Sequence, residues 1–489
     1  MVFSADVVPI MLIAEKRPPT NKDKICLRIA DERCAKFTGF DRKHVEFDLN
    51  KATLTEMPYA DVFTPDGRIL TKITPERKTI IDRFAGKTFE DVAQTFWVGK
   101  SKNTIQAWSL NRSVREEDLR WEKSDMIRMD AAFRGEIHQA EKGGLDVFKG
   151  ENIVACQLEG DPVNQNIDVN KMDDASLWRF ANILPERGFA FHQISAALTC
   201  APFSPKKNVM LNTASLFFPK EEVAHFPFDF LVLSRLYQYF FGLSQREAIL
   251  FRARCHVYPS TVRRLPWSDK LVESQEKLVQ LREQFLAACE NLHQREDVLV
   301  EKLESTARTT LREIVTNEVK AKVEWSEEIE PGKSVKIGTP IIYEREGLFV
   351  IQPGDDLLHW LAINDEDIAK CFTEGLKLQT GESLSSKVML DIPIPTPATL
   401  KQWKRTVAEF DATNYEKSLE GVLDKLDKIV AKAFNIPAAE VDFIKSEFNN
   451  DPMLRRIRPN LPFSDRRLVG LRKNLASSDR YEKAYKTRR

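Results

Sequence analysis

Basic residues stand in pairs on short loops of this sequence, and the chemistry they suit is the binding of an anion. The segment "VGKSKNT" places Lys100 and Lys102 beside a glycine, and "APFSPKKN" places Lys206 and Lys207 after a proline. Loops held by a rigid scaffold often carry the residues that recognise a partner. Because ammonium groups bind phosphate, these loops predict contacts with a nucleic-acid backbone. The alternative for each lysine is a solvated surface charge.

A second basic group surrounds the segment "RCHVYPSTVRRLPW". Arg252 and Arg254 stand at its start, and Arg263 and Arg264 lie between its two prolines. The whole chain has 73 basic and 73 acidic residues, so its formal net charge is zero. Local patches rather than net charge decide whether a protein binds nucleic acid. We therefore count these arginines, with the four lysines, as candidate DNA-binding residues.

Motifs of catalysis and cofactor binding are missing from the sequence. It contains no G-x-G-x-x-G, no P-loop and no G-x-S-x-G, and its 7 histidines are isolated from one another. His192 and His256 fit hydrogen-bonded core positions better than the role of a base. We predict no catalytic residue, no bound cofactor and no metal in this chain.

The cysteines and the apolar segments favour a cytoplasmic protein. The 7 cysteines are odd in number and scattered, without C-x-x-C, which argues against a disulfide framework or a zinc site. The apolar run 7–14, "VVPIMLIA", is too short to span a bilayer and is typical of a buried strand. That strand would pair with 26–31.

Hydrophobic and turn patterns predict a mixed α+β fold. Residues 91–266 alternate strand-like pieces with Gly, Asn and Pro turns, and their apolar stretch 228–243 predicts a buried helix that Gly242 ends. Before them, 74–87 predicts a short helix with Thr74 as its cap.

The clearest helical pattern covers 267–322, with Ser268 as its N-cap. Apolar residues recur there at heptad-like spacing, which predicts packing along another helix. These residues are Leu271, Leu278, Leu281, Phe285, Ala288 and Leu292.

The remaining chain divides into two further regions. Residues 323–397 predict a small α/β insert, with strands in 333–354, a helix in 365–376 and a Pro-rich linker from 391. Residues 398–489 predict two helices followed by a basic tail.

A combination of motifs in 189–267 resembles the target-recognition region of N6-adenine DNA methyltransferases. The most similar pattern is that of the type IIG restriction–modification enzymes, which carry an "N-T-x-x-x-F" strand, an apolar helix and a closing "Y-P-x-x-[LV]-x-x-L-P" stretch. The family's Leu-Asn-Ser element is absent, and "LSRLYQ" occupies its place. The matching residues are Asn212, Thr213, Phe217, Tyr258, Pro259, Leu265 and Pro266.

Two further segments strengthen the resemblance. The Leu-Pro turn that runs into a long spacer helix is similar to type I specificity subunits. The segment 426–444, "LDKIVAKAFNIPAAEVDFI", is similar to the C-terminal helix-turn-helix of large methylases. The resemblance implies that 1–90 is the C-terminal edge of a methyltransferase-like domain with a connector, and that 91–266 is a target-recognition domain.

The resemblance also implies a function for the chain. The Gly-rich S-adenosylmethionine loop and the Asn-Pro-Pro-aromatic motif do not occur in it. We therefore expect the DNA-binding part of a split or truncated methyltransferase, from a restriction–modification or related phage-defence system. Its partners would be double-stranded DNA and a catalytic subunit or half that binds S-adenosylmethionine. The alternative is a protein–protein scaffold of a defence complex, without sequence readout.

Overall fold

The fold is mixed α+β, as the sequence predicts. The computed structural model describes residues 24–29, 35–38, 44–48, 50, 53–58, 73–98, 107–108, 144–162, 164–167, 186–195, 197–210, 213–245, 255–306, 309–317, 323–325, 334–338, 340–354, 359–380, 382–412, 415–451, 454, 457, 459 and 461–462.

Short strands dominate the described residues before 260. In chain order they are β1 (Lys24–Ile29), β2 (Ala35–Thr38), β3 (His44–Phe47), β4 (Thr53–Pro58), β5 (Ala93–Val98), β6 (Ala107–Trp108), β7 (Leu145–Phe148), β8 (Ile153–Val154), β9 (Gln157–Leu158), β10 (Asn164–Ile167), β11 (Gly188–His192), β12 (Ile194–Ser195), β13 (Cys200–Phe203), β14 (Asn208–Met210), β15 (Ala214–Pro219) and β16 (Cys255–His256). The partner of β1 in the described residues is β4. The predicted partner, 7–14, lies outside them.

Five of these strands form the largest sheet, in the order β13, β11, β15, β5 and β6, each antiparallel to its neighbours. All six residues of β15 are buried. Side chains alternate between the faces of a strand, so Phe217 joins one core cluster while Leu216 and Phe218 join another on the opposite face. The centre of this sheet is therefore covered on both sides.

Short helices lie between and after these strands in the chain. They are α1 (Pro75–Arg83), α2 (Phe89–Val92), α3 (Phe228–Leu231), α4 (Arg235–Phe240) and α5 (Pro259–Arg263). The prediction for 74–87 is confirmed, because the Thr74 hydroxyl accepts from the Arg77 amide at 3.3 Å and Gly86 follows the helix with a φ of 131°.

The prediction of one helix over 228–243 is wrong. The chain forms α3, then starts α4 anew at Ser234, whose hydroxyl accepts from the Leu236 amide at 3.2 Å. Gly242 does not end the helix but lies inside a π-helical turn, Phe241–Gln245. A Cβ at Gly242 would stand 2.5 Å from a methyl of Ile457, so glycine permits the close approach of that segment.

A long helix follows the β-rich region. After a 3-10 turn over Asp269–Ser274, α6 runs from Gln275 to Thr306. The region predicted to contain the long spacer helices then continues through a short strand into a second helix, α7 (Leu311–Asn317). Ser268 is at the N-cap position of the 3-10 turn, as predicted, but its side chain makes no capping hydrogen bond, and its hydroxyl donates to the Ala433 carbonyl at 3.1 Å.

A second, smaller β region follows α6. Its strands are β17 (Thr309–Thr310), β18 (Val323–Trp325), β19 (Ser334–Lys336), β20 (Ile341–Arg345), β21 (Leu348–Gln352), β22 (Leu361–Ile363), β23 (Ser383–Ser385) and β24 (Pro393–Ile394), with helices α8 (Glu366–Lys377) and α9 (Ser386–Leu390). The antiparallel order β18, β22, β21, β20 forms its main sheet. The Pro-rich segment is packed into this region, since Ile392 and Ile394 are buried and β24 pairs with β17.

Three helices rather than the predicted two complete the described chain. They are α10 (Leu400–Ala412), α11 (Tyr415–Ala433) and α12 (Ala438–Asn450). Asn435 adopts a φ of 53° between α11 and α12, as a tight helix–turn–helix connection requires. Among the described residues no helix is both long and apolar enough to cross a bilayer.

Two main cores organise these elements. The first combines residues from α1, the β-rich region, the N-terminal half of α6 and the helices α11 and α12. The second contains only residues between Leu311 and Leu400. A small cluster of Leu299, Val300 and Leu303 with Trp403 joins the far end of α6 to α10.

Candidate nucleic-acid interface

The loop of Lys206 and Lys207 is a tight turn between two sheets. It leaves β13, at the edge of the largest sheet, and enters β14, which pairs with β7. The Ser204 carbonyl accepts from the amides of Lys207 and Asn208 at 2.9 and 2.8 Å. The Lys207 carbonyl in turn accepts from the Asp146 amide at 2.9 Å. The backbone of Lys207 is therefore held by hydrogen bonds, within the turn that also contains Lys206.

The two lysine side chains differ in their surroundings. Both residues are exposed. Lys206 forms an ion pair with the exposed Glu186 and holds the pKa of that carboxyl below its usual value. Lys207 makes no ion pair with any residue that the structure describes. A surface pair of this kind contributes little free energy, so an incoming phosphate can replace Glu186 as the partner of Lys206.

Arg263 and Arg264 lie at the border between the β-rich region and the long helix. Arg263 is in the last turn of α5 and pairs with Glu90 of α2. Arg264 caps the C-terminus of that helix, with its amide donating to the Thr261 carbonyl at 3.3 Å. Both side chains are partly buried, so they are less accessible than the two lysines.

Four of the predicted residues have no described position. Lys100, Lys102, Arg252 and Arg254 lie outside the described residues. The structure therefore places Lys206 and Lys207 on one turn and the two border arginines on another.

Backbone hydrogen bonds connect the border to the start of α2 and the residues just before it. The Phe89 amide donates to the Leu265 carbonyl at 2.8 Å, and the Trp267 amide donates to the Lys87 carbonyl at 2.8 Å. The Tyr237 hydroxyl donates to the Pro266 carbonyl at 2.7 Å. These bonds fix the orientation of the segment that leads into the long helix.

An aromatic cluster lies beneath this border. Phe89 stacks on Phe217 with ring centroids 5.3 Å apart, and Phe228 meets Phe217 edge to face at 4.9 Å. Trp267 packs on Phe228 at 5.3 Å. Phe189, Phe191 and Tyr239 are buried as well, so these three aromatic rings belong to the core and are not surfaces on which bases could stack.

The residues that carry the family resemblance have defined structural roles. The Thr213 hydroxyl accepts from the Gly150 amide at 2.6 Å, and Phe217 is fully buried. Pro259 opens α5, and Leu265 with Pro266 is buried at the border. Tyr258 is 43% exposed, and Asn212 lies outside the described residues.

A buried ion pair ties the β-rich region to the long helix. Asp229 of α3 is fully buried, and its carboxylate accepts from Nε of Arg282 in α6 at 2.7 Å. The same guanidinium donates to the Cys156 carbonyl at 2.7 Å. Burial opposes the charge of both groups. The Arg282 pKa is raised because Asp229 outweighs this effect, but the Asp229 pKa is raised as well, because burial of the carboxylate outweighs the guanidinium. Sequence reasoning missed this pair, because no local pattern marks its members.

A second pair ties the β-rich region to the C-terminal helices. The buried carboxylate of Asp427 in α11 accepts from the Ser234 hydroxyl at 2.8 Å and from Nε of Arg235 at 2.6 Å. It also accepts from the Arg235 backbone amide at 2.9 Å, at the N-terminus of α4. A carboxylate at this end of a helix is favourable, because the first amides lack partners within the helix.

The buried thiols have the chemistry of core residues. Burial raises the pKa of Cys156 and Cys200 well above the usual thiol value, and it raises that of Cys289 to about 12. A thiol that stays protonated is a poor nucleophile. In the described part of the chain, no group of three or more His, Cys, Asp or Glu side chains is placed to hold a metal ion.

Neither the models of known protein families nor the curated proteins match this chain.

Proposed function

We propose that this chain is the DNA-binding, target-recognition part of an N6-adenine DNA methyltransferase of a restriction–modification or related phage-defence system. The observation that carries the proposal is the turn of Lys206 and Lys207. Two exposed lysines stand there on a hydrogen-bonded backbone between two sheets. Pre-positioned cations of this kind suit the phosphates of a duplex, which fix the register of a bound protein.

The rigid border supports this role. A recognition region must be held at one angle to the rest of the enzyme, because small displacements would move its side chains off the base edges. The aromatic cluster, the Tyr237–Pro266 hydrogen bond and the Asp229–Arg282 pair provide such a connection. A catalytic partner that binds S-adenosylmethionine would flip the adenine out of the duplex and methylate it.

The alternative of a scaffold without DNA readout depends on the apolar seam of the long helix. Leu278, Leu281 and Phe285 are buried inside the chain, in the same core as Leu426 and Val430 of α11. This seam is therefore occupied and does not offer a coiled-coil surface to another protein. Its burial within the chain favours the DNA-binding proposal over the scaffold.

Duplex binding at several salt concentrations tests the proposal. Each phosphate contact contributes about −0.9 to the slope of log K against log salt. We expect tight binding at low salt and a steep loss at moderate salt. The double variant Lys206→Gln, Lys207→Gln should reduce the steepness by about 1 to 2.

The matched control is Lys336→Gln, Lys401→Gln, which removes the same charge from exposed sites beyond the long helix. It should leave the slope unchanged. Absence of DNA binding at low salt, whether alone or with the catalytic polypeptide, would contradict the proposal.

A further inference from the structure

Three lysines form a basic stripe along α11. Lys425, Lys428 and Lys432 are exposed, and their spacing of three and four residues places them on one face of the helix. None of the three makes an ion pair with a residue that the structure describes. We call these three residues the α11 stripe.

Two acidic residues, Asp424 and Asp427, adjoin these lysines in the sequence and are paired with other cations. Asp424 pairs with Arg235 and, at 2.8 Å, with Lys445 of α12. Asp427 is buried against Ser234 and Arg235.

Asp427 is thus buried, and Asp424, whose side chain is 40% exposed, is paired with two cations. Glu420 is exposed earlier on the same helix. The stripe from Lys425 to Lys432 contains three exposed lysines and no acidic residue without a cationic partner.

A groove without carboxylates adjoins the stripe. It has a volume of about 400 Å³ and lies between α6 and α11, with Lys425 in its wall. Gln284 and Asn291 contribute neutral amides from α6, and Gly421 contributes no side chain from α11. An anion entering this groove would meet hydrogen-bond donors and a cation but no like charge.

The C-terminal end of the stripe lies beside the border of the β-rich region. The Ser268 hydroxyl donates to the carbonyl of Ala433, which directly follows Lys432, at 3.1 Å. Nζ of Lys270 donates to the side-chain oxygen of Asn435 at 3.2 Å. These bonds hold the end of α11 against the start of the long helix, so the stripe has a defined position relative to the border.

We propose that the α11 stripe is a second contact surface for duplex DNA, which binds the phosphates of one strand without reading its sequence. The proposal rests on the proposed DNA-binding function and assigns to it a further site. Lys425 and Lys432 are separated by about 10 Å along the helix, since each residue rises 1.5 Å. Phosphates of one strand recur about every 3.4 Å along the duplex axis, so the stripe spans the axial length of about three phosphate steps.

The test compares the full chain with the triple variant Lys425→Gln, Lys428→Gln, Lys432→Gln. The matched control, Lys302→Gln, Lys336→Gln, Lys401→Gln, removes the same charge from exposed positions elsewhere. Glutamine is as good a helix former as lysine, so all three proteins should fold with equal helix content by circular dichroism. Binding is measured on several duplexes of unrelated sequence over a range of salt concentrations.

We expect the stripe variant to lower the steepness of the salt dependence by about 2 to 3, equally on every duplex, and the control to match the parent chain. A stripe variant that also matches the parent chain would overturn this inference and leave the proposed function standing. A loss confined to one duplex sequence would overturn it too, because phosphate contacts act on all sequences. No binding by the parent chain would overturn both.

Discussion

At the residue scale, two buried carboxylates connect segments that are far apart in the sequence. Asp229 and Arg282 are 53 positions apart, and Arg235 and Asp427 are 192 apart. Removing one member of a buried pair leaves the other charge without compensation, which is more costly than losing a surface pair. These carboxylates are therefore important for the connection between regions.

The first prediction concerns the Asp229–Arg282 pair. Asp229→Asn should lower the free energy of unfolding by about 1–3 kcal/mol, because Arg282 would keep its charge in a partly buried site without its carboxylate partner. Thermal or urea unfolding followed by circular dichroism measures the change. Asp269→Asn is the control, since its pair with Lys87 is exposed and screened by solvent. Equal stability of the two variants would contradict the importance of the buried pair.

Residue-scale prediction from sequence succeeds where the local pattern decides. The turn of Lys206 and Lys207 follows from Pro205 and the strands on either side. The role of Arg263 could not be predicted, because its partner Glu90 is 173 positions away. The same holds for Arg282 and Asp229, which no spacing rule connects.

At the element scale, the periodicity of the long helix is a reliable signal. The heptad-like residues Leu278, Leu281, Phe285 and Leu292 are all buried, as the pattern predicts. The pattern does not say which helix covers them. In the structure, α11 of the same chain packs along α6.

The second prediction follows from this internal packing. Phe285→Ala should lower the free energy of unfolding by about 3–5 kcal/mol, because a large buried ring is lost from a packed core. Val298→Ala, on the same helix but 50% exposed, should change it by less than about 0.5 kcal/mol. The unfolding midpoint should not depend on protein concentration. A concentration-dependent midpoint would instead indicate a seam shared between molecules.

Sequence patterns fail where tertiary contacts start or stop an element. The apolar run 228–243 predicts one helix, but Ser234 and the Asp427 carboxylate create a new helix start within it. The prolines of 391–400 suggest an open linker, yet Ile392 and Ile394 fill the second core. Both outcomes depend on residues far away in sequence.

At the scale of the whole molecule, two cores of different composition lie along one chain. The first includes residues as far apart as Ile80 and Ile457, whereas the second is confined to 311–400. The long helix contributes to the first core with its N-terminal half and to the small cluster with Trp403 at its other end. Cores with separate members can lose their packing at different temperatures.

The third prediction is that thermal unfolding occurs in at least two transitions. Met389→Ala should lower the unfolding free energy of the second core by about 2–5 kcal/mol, and so the temperature of its transition, without changing the other transition. Phe230→Ala should lower the unfolding free energy of the first core by about 3–5 kcal/mol, and so the temperature of its transition. Differential scanning calorimetry of both variants separates the transitions. One transition that both substitutions lower would show that the molecule unfolds as a single unit.

The place of α11 and α12 in the first core sets an order of events during protein synthesis. Leu419, Val430 and Ile444 belong to that core but follow the entire second core in sequence. Domains fold as units while the chain leaves the ribosome. The region before the long helix must therefore wait, with its aromatic residues incompletely covered, until α11 and α12 have emerged. The second core, whose members are contiguous, can close earlier.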